Sequence, residues 1–167
     1  MLIAQAAIFF SAGFETSSST MSFALFELSR QQDLQQRLRE EIRKHLEKNN
    51  GEVTYDMVNE MTYLNQVIRE VLRLYPPQPF LDRQCTLEKG EQNYSLMPYV
   101  DFDVPNGMPV FIPIYALHRD PKYFPNPETF NPDRFDATIQ NKPPPFVYIQ
   151  YKTFKFLKQK MLSFMKK

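Results

Sequence analysis

The chain has 167 residues, of which 43% are hydrophobic, and a formal net charge of +1. The length suits one ordinary domain, the hydrophobic fraction excludes an intrinsically disordered protein, and the balanced charge excludes an overall attraction to nucleic acid. A single cysteine excludes an intrachain disulfide.

The first predicted element is a long helix over residues 2–29, apolar on nearly all sides. This is typical of a buried core helix, because the apolar run at 2–10 is shorter than the roughly 20 residues of a membrane span. Its middle, residues 11–20, is rich in Gly, Ser and Thr. These residues favour a local distortion, since Ser and Thr can bond to the carbonyl four residues earlier. Alternatively, the small side chains only allow a neighbouring helix to pack closely.

Three shorter helices follow in the prediction. An i, i+4 apolar stripe predicts a charged surface helix over residues 33–48, ended by the Asn-Asn-Gly sequence at 49–51. Thr54 is a candidate cap for a short helix that ends at Glu60. A further helix, at about 63–75, is ended by two prolines.

Beyond residue 78 the pattern changes to short strands and irregular chain. Segments 94–100 and 110–114 are strand candidates, with a Pro-Asn-Gly turn at 105–107 between them. Prolines punctuate residues 116–146 and predict a largely irregular segment. The sequence therefore predicts a mainly α protein with small β-sheets, an α+β fold.

Four segments occur in a distinctive order. Residues 12–17 read AGFETS, residues 70–73 read EVLR, residues 116–130 read ALHRDPKYFPNPETF, and residues 131–135 read NPDRF. In order and spacing they resemble the oxygen-activating motif, the E-x-x-R motif, the segment before P-E-R-F and the P-E-R-F motif itself of cytochromes P450, with Asp in place of Glu in the last. The resemblance covers residues 1–149 and is strongest to the insect microsomal, xenobiotic-metabolising branch.

The resemblance implies a partial cytochrome P450 fold at 1–149, with a long central helix, amphipathic helices, short β pairs and an irregular Pro-rich meander. It also implies a haem-thiolate monooxygenase that oxidises small lipophilic substrates with O2 and electrons from NADPH-cytochrome P450 reductase. Such enzymes lie at the endoplasmic reticulum membrane, held by an anchor that these residues are not expected to include. No nucleic acid partner is expected.

Glu15 and Thr16 form the predicted catalytic pair. A hydroxyl beside bound oxygen and a neighbouring carboxylate connected to solvent can deliver protons to it. By resemblance, Ala12 and Gly13 leave room for oxygen and substrate against the backbone, and Thr16 also borders the cofactor. On local pattern alone, Glu15 is instead a solvated or paired helix acid.

Glu70 and Arg73 are three residues apart on one helix, so their side chains can meet. On local pattern alone they are an ordinary pair on the polar side of the helix, worth about 0–1 kcal/mol. By resemblance they interlock with Arg134 and pin the irregular segment to the helix, because a guanidinium can clamp a carboxylate bidentately. We call these three residues the clamp, and its predicted role is structural.

Arg83 resembles the family arginine that faces a haem propionate, with a plain surface arginine as the alternative. Five apolar residues resemble positions that line the substrate, although an aromatic stripe is more often core. They are Phe9, Phe10, Phe14, Phe80 and Leu81.

In the family, the cysteine that ligates the haem iron follows a glycine-rich loop, and no such cysteine occurs after residue 149 of this chain. Cys85 lies in a different segment and is not expected to be a ligand. His45 and His118 lack partners at metal-ligand spacing and are predicted to be solvated or to pack. No metal ligand is therefore predicted, and productive haem binding by this chain is not expected.

Residues 150–167 are rich in Lys and Phe and differ abruptly from the preceding sequence. They are predicted to be a non-homologous tail, disordered or weakly helical, such as translated intron sequence or a frame change would give. A basic amphipathic helix can also bind a membrane surface or a partner groove, so the alternative function is a non-enzymatic product with such contacts. The opening helix is expected to expose apolar surface and to promote aggregation.

Overall fold

The computed structural model describes residues 2–138 and 147–148. The helices are α1 (Leu2–Arg30), α2 (Gln32–Lys48), α3 (Tyr55–Glu60), α4 (Thr62–Leu74) and α5 (Ile114–Leu117). The strands are β1 (Leu81–Gln84), β2 (Asn93–Ser95), β3 (Asp103–Pro105) and β4 (Pro109–Ile112), and a 3₁₀ turn spans Pro132–Phe135. The predicted mainly α fold with small β-sheets is confirmed. The predicted tail at 150–167 lies outside the described residues.

Helix α4 lies at the centre of the core. Helices α1 and α2 and the 3₁₀ turn all pack against it, and ten of its 13 residues are buried. Leu64, Val67 and Ile68 are fully buried, and each such side chain contributes about 1.5–3 kcal/mol of apolar burial. Glu70 and Arg73 are also fully buried, so the interpretation of these two residues as a pair on a polar helix face is wrong.

Helix α1 is continuous over Leu2–Arg30, so the Gly, Ser and Thr segment does not break it. The expected bonds to preceding carbonyls are present. The Thr16 hydroxyl donates to the carbonyl oxygen of Ala12 at 2.6 Å, and the Thr20 hydroxyl donates to that of Thr16 at 2.8 Å. These bonds satisfy the hydroxyl groups within the helix and leave its path intact.

Only the second half of α1 faces the core. Its buried residues are Ser17, Thr20, Ala24, Glu27 and Leu28. The apolar side chains of the first half are exposed, so the prediction of a buried core helix holds for the second half alone. In the described part of the chain, no helix combines the length and the apolar character needed to cross a membrane.

Helices α2 and α3 follow their predicted patterns. Leu38 and Ile42 are buried on one side of α2. Gly51, just after its end, has a φ of 80°, the left-handed conformation that favours glycine. The hydroxyl oxygen of Thr54 accepts a bond from the backbone N–H of Met57 at 3.3 Å, which confirms the predicted cap of α3.

The strands form two separate antiparallel pairs, β1 with β4 and β2 with β3. The predicted turn at 105–107 joins β3 to β4, which belong to different sheets because each pairs with an earlier strand. The predicted strand at 94–100 is shortened to Asn93–Ser95, since Pro98 has no N–H for a ladder bond. The candidate at 110–114 is observed as Pro109–Ile112.

Candidate functional site

The clamp is centred on a buried ion pair within α4. Arg73 Nε donates to Glu70 Oε2 and Arg73 Nη2 donates to Glu70 Oε1, both at 2.8 Å. Neither side chain is exposed. The i, i+3 spacing places both on one helix face, and the two parallel bonds make the pair bidentate. A buried pair of this kind is favourable only when its remaining donors and acceptors also find partners.

Arg73 uses its remaining donors on the irregular segment. Its Nη1 donates to the carbonyl oxygen of His118 at 2.8 Å, and its Nη2 donates to that of Thr129 at 3.4 Å. The guanidinium carbon lies 5.3 Å from the ring centre of Phe124. One buried cation in α4 therefore satisfies two main-chain carbonyls and contacts an aromatic ring of a segment that has no regular structure.

Arg134 contributes the third side of the clamp from the 3₁₀ turn. Its Nε donates to Glu70 Oε1 at 3.2 Å. Its Nη2 donates to the carbonyl oxygen of Asn126 at 2.6 Å, and its Nη1 donates to that of Pro125. The backbone N–H of Asn131 gives Glu70 Oε1 a further donor at 2.9 Å. The structure thus brings all three clamp residues together around one carboxylate.

The local sequence explains how Arg134 is presented to α4. Pro132 occupies the start of the 3₁₀ turn, and Asn131 Oδ1 accepts from the backbone N–H of Asp133 at 3.1 Å as its cap. Asn126 has a φ of 51°, a left-handed conformation that asparagine tolerates. Prolines remove main-chain donors from this segment, and the guanidinium groups supply donors to its carbonyl oxygens.

His118 forms part of the buried wall beside the clamp. Its side chain is not exposed, and its Nδ1 lies 3.2 Å from the carbonyl oxygen of Arg73. Burial lowers the pKa of His118 to about 4, and the positive charges of Arg73 and Arg119 act in the same direction. The imidazole is therefore neutral at physiological pH. Of the two predicted environments, solvated or packed, the packed one is correct.

Tyr148 is a neighbour of the clamp that the sequence did not identify. Its ring stacks on His118 with centroids 5.3 Å apart and lies 4.8 Å from the ring of Phe135. Its hydroxyl donates to the carbonyl oxygen of Arg69 at 3.0 Å. Burial raises the pKa of Tyr148 well above its usual value. An aromatic residue in an irregular segment is too common to have signalled this role.

A second buried carboxylate joins α1 to the end of α4. The Tyr75 hydroxyl donates to Glu27 Oε1 at 2.6 Å, and Gln31 Nε2 lies 3.4 Å from Glu27 Oε2. The ring of Phe23 stacks on that of Tyr75 with centroids 4.2 Å apart. Burial, the hydrogen bond and the negative charge of Glu27 raise the pKa of Tyr75 to about 12. This contact fixes the second half of α1 against α4.

The predicted catalytic pair lies on the open side of α1. Glu15 is exposed and Thr16 is half-buried. Because the Thr16 hydroxyl donates to Ala12, its proton is engaged while its oxygen can still accept a bond. A Cβ added at Gly13 would meet nothing within 4 Å. The space beside Gly13 is therefore unoccupied by other described residues, and the groove at Ala12 and Gly13 stays a prediction.

The predicted substrate-lining residues lie at two separate places. Phe9, Phe10 and Phe14 are exposed on α1, where the rings of Phe10 and Phe14 stack with centroids 5.6 Å apart. Phe80 and Leu81 lie at the start of β1, and Phe80 is about half exposed. In residues 2–138 and 147–148, no hydrogen bond or ring contact joins these two groups.

Arg83 lies in β1, opposite Val110 of β4. It is exposed, and its Nη1 donates to the carbonyl oxygen of Asp82 at 2.7 Å. Among the described residues, no hydrogen bond or ion pair connects Arg83 to Glu15 or Thr16. The structure therefore brings the clamp together, whereas the other predicted site residues lie in two places, on the first half of α1 and at β1.

A bound haem needs a ligand for its iron and partners for its propionates. Arg83 is an exposed cation that could pair with a propionate, whereas no cluster of three His, Cys, Asp or Glu side chains in the described chain could hold a metal. The Cys85 sulfur lies 3.9 Å from the carbonyl oxygen of Val104, next to the strand pairs and not in a glycine-rich loop. His45 Nδ1 lies 2.9 Å from a carbonyl of its own helix.

The sequence matches one large protein family. The family described as Cytochrome P450 matches residues 1–150. The chain is 50% identical over 152 residues to the probable cytochrome P450 6g2 of Drosophila melanogaster, covering 90% of this chain and 29% of that protein. It is 45% identical over 150 residues to cytochrome P450 6k1 of Blattella germanica, covering 90% and 28%. The chain thus spans less than a third of these relatives, and it belongs to the cytochrome P450 family.

Proposed function

We propose that the chain is the part of a haem-thiolate monooxygenase that carries the oxygen-activating helix and the clamp. The whole enzyme would insert one atom of O2 into a small lipophilic substrate, a xenobiotic or an endogenous lipid. Its electrons would come from NADPH-cytochrome P450 reductase. The observation that carries the proposal is the fully buried Glu70–Arg73 pair joined by Arg134. Charged side chains are almost never fully buried unless they are paired, and the family places this pair in the same motif.

In this proposal Glu15 and Thr16 deliver protons to the reacting oxygen. The carboxylate of Glu15 is open to solvent, and the neighbouring Thr16 Oγ1 has acceptor capacity left after donating to the Ala12 carbonyl oxygen. Haem, when bound, would supply the oxygen-activating iron. Arg83 would hold a haem propionate by charge-assisted hydrogen bonds.

The substrate space would be lined by apolar residues of α1 and of the start of β1, which suits a lipophilic molecule. These residues are Phe9, Phe10, Phe14, Phe80 and Leu81. Phe10 and Phe14 present a stacked aromatic surface on the same helix as Thr16. We also propose that the whole enzyme acts at the endoplasmic reticulum membrane, in keeping with the resemblance to the microsomal branch.

A chimera tests the proposed function. Residues 1–149 of this chain would replace the matching segment of the Drosophila relative that is 50% identical. The chimera should show the thiolate-type Soret band with carbon monoxide and oxidise lipophilic substrates with the reductase. A chimera that binds haem but consumes no O2 with any reductase would contradict the proposal.

Two variants of the chimera separate the proposed roles. Thr16→Ala should keep the spectrum and lower the fraction of consumed O2 that appears in product, because proton delivery is impaired. Glu70→Gln should lower haem incorporation. Thr54→Ala, which removes only the cap of α3, is the matched control and should leave both readouts unchanged.

The 167-residue chain alone is expected not to form the haem-thiolate centre. Its only cysteine, Cys85, packs beside the strand pairs. Haem titration followed by reduction and carbon monoxide should therefore give no thiolate-type Soret band. A band of that type which disappears in Cys85→Ser would show that Cys85 is a ligand and would refute this expectation.

A further inference from the structure

One face of α2 holds the beginning of α4. The Glu41 carboxylate accepts bonds from the backbone N–H groups of Tyr63 and Leu64, both at 2.9 Å, and from the Thr62 hydroxyl at 3.3 Å. The first N–H groups of a helix have no partner within it, and a negative charge there also complements the helix dipole. The residue at the N-cap position, Met61, offers no side-chain bond. Glu41 therefore caps α4 from a different helix.

Arg37 lies one turn before Glu41 and reaches the 3₁₀ turn. Its Nη1 lies 2.7 Å from Asp133 Oδ1, and its guanidinium carbon lies 3.9 Å from the ring centre of Tyr63. A planar guanidinium can stack on a ring with its face while its edge bonds a carboxylate. Asp133 is the residue that stands where the P-E-R-F motif has Glu, so the departure from the motif coincides with this contact.

These contacts form a closed series, here named the circuit, that links α2, α4 and the 3₁₀ turn around the clamp. Glu41 holds the start of α4, which carries Glu70 about two turns later. Glu70 accepts from Arg134, and the preceding Asp133 pairs with Arg37. The circuit returns through one turn of α2. Each link except the helices themselves is a hydrogen bond or ion pair between residues distant in sequence.

We propose that Arg37 and Glu41, here named the brace, are positioning residues that set where Arg134 meets Glu70. A 3₁₀ turn has poor internal hydrogen-bond geometry and does not hold its own position. The hydrogen bond from Arg134 Nε to Glu70 is also longer, at 3.2 Å, than the bond from Arg73 Nε to Glu70, at 2.8 Å. The brace supplies the restraint that the turn lacks. This inference goes beyond the proposed function and does not depend on haem chemistry.

Hydrogen exchange of the 167-residue chain, read by mass spectrometry, tests the brace. The amides of Asp133, Arg134 and Asp136 are hydrogen-bonded within the 3₁₀ turn and report on its opening. Arg37→Gln should accelerate their exchange by up to about fivefold, the factor that a partly exposed ion pair is worth, and leave the amides in the middle of α4 unchanged. Glu41→Gln should accelerate the amides at the start of α4 instead.

A double-mutant cycle distinguishes positioning from a general loss of stability. If Arg37 acts through Asp133, the double variant Arg37→Gln with Asp133→Asn should exchange no faster at the turn than either single variant. Lys48→Gln is the matched control. Lys48 lies on α2, as Arg37 does, but it pairs with Glu60 of α3, away from the 3₁₀ turn. It should change nothing at 133–136.

Three results would overturn the proposal. They are unchanged exchange at the turn in Arg37→Gln, equal acceleration throughout α4, and additive effects in the double variant. A parent chain without protection at 133–136 would also overturn it, because no brace would then exist. None of these results bears on the monooxygenase proposal, which the chimera tests by spectrum and turnover.

Discussion

The Glu70 carboxylate is the site at which a single isosteric change has the largest expected effect. It accepts four bonds, two from Arg73, one from Arg134 and one from the backbone N–H of Asn131. Glu70→Gln replaces one oxygen by an NH2 group that faces a donor and removes the charge that balances a fully buried arginine. Breaking a buried pair from one side costs about 3–5 kcal/mol. Against a total stability of about 5–15 kcal/mol, this loss removes between about a fifth and all of the unfolding free energy.

Urea unfolding followed by far-UV circular dichroism measures this loss, because the chain has no tryptophan for fluorescence. The matched control is Glu60→Gln, which alters an exposed carboxylate 3.4 Å from Lys48 and should change the unfolding free energy by less than about 0.5 kcal/mol. A loss below about 1 kcal/mol in Glu70→Gln is the value of an ordinary surface pair. That result would refute the reasoning from burial.

Three other outcomes are expected. Since the folded-state pKa of His118 is about 4 against its usual 6.5, the unfolded chain binds more protons between these values. The contribution of neutral His118 to the unfolding free energy should therefore be fully present above about pH 6.5 and fall by up to about 3 kcal/mol as the pH drops to about 4. Equal shifts of the urea midpoint with pH in the parent and in His118→Gln would contradict this. Tyr75→Phe removes the short bond to buried Glu27 and should lower the unfolding free energy by about 1.5–3 kcal/mol, the value of a bond to a charged group; an unchanged urea midpoint would argue against it. Phe10→Ser, at an exposed position of α1, should raise solubility without changing stability, and sedimentation after centrifugation at increasing concentration checks this.

The elements with a local cause were predictable from the sequence. The cap at Thr54 and the glycine after α2 act within a few residues, so their signals lie in the adjacent sequence. The long opening helix and the exposure of its apolar surface were also predicted, but the point along α1 where burial begins was not, because burial depends on what packs against the helix. Which strands pair was not predictable for the same reason. The turn at 105–107 is correct, but each flanking strand pairs with a partner earlier in the chain.

The functional site also has a part that could be predicted from the sequence and a part that could not. The order of the motifs indicated that Glu70, Arg73 and Arg134 would meet, whereas local spacing alone favoured a surface pair. Arg37 and Glu41 were overlooked because a charged helix face looks identical in sequence whether it is solvated or capping another helix. Their roles depend on the angle at which α2 crosses α4, and no local pattern encodes that angle.

The two clamp arginines bind mainly to main-chain carbonyl oxygens of the Pro-rich segment, at positions 118, 125, 126 and 129. A carbonyl oxygen is present whichever amino acid occupies the position. The segment can therefore change many of its side chains during evolution and still be recognised, provided that its backbone follows the same path. The opposite holds for Arg73 and Arg134, since a lysine offers neither the planar fork nor the number of donors. Sequence variation among relatives should accordingly be greater in the Pro-rich segment than at Arg73 and Arg134.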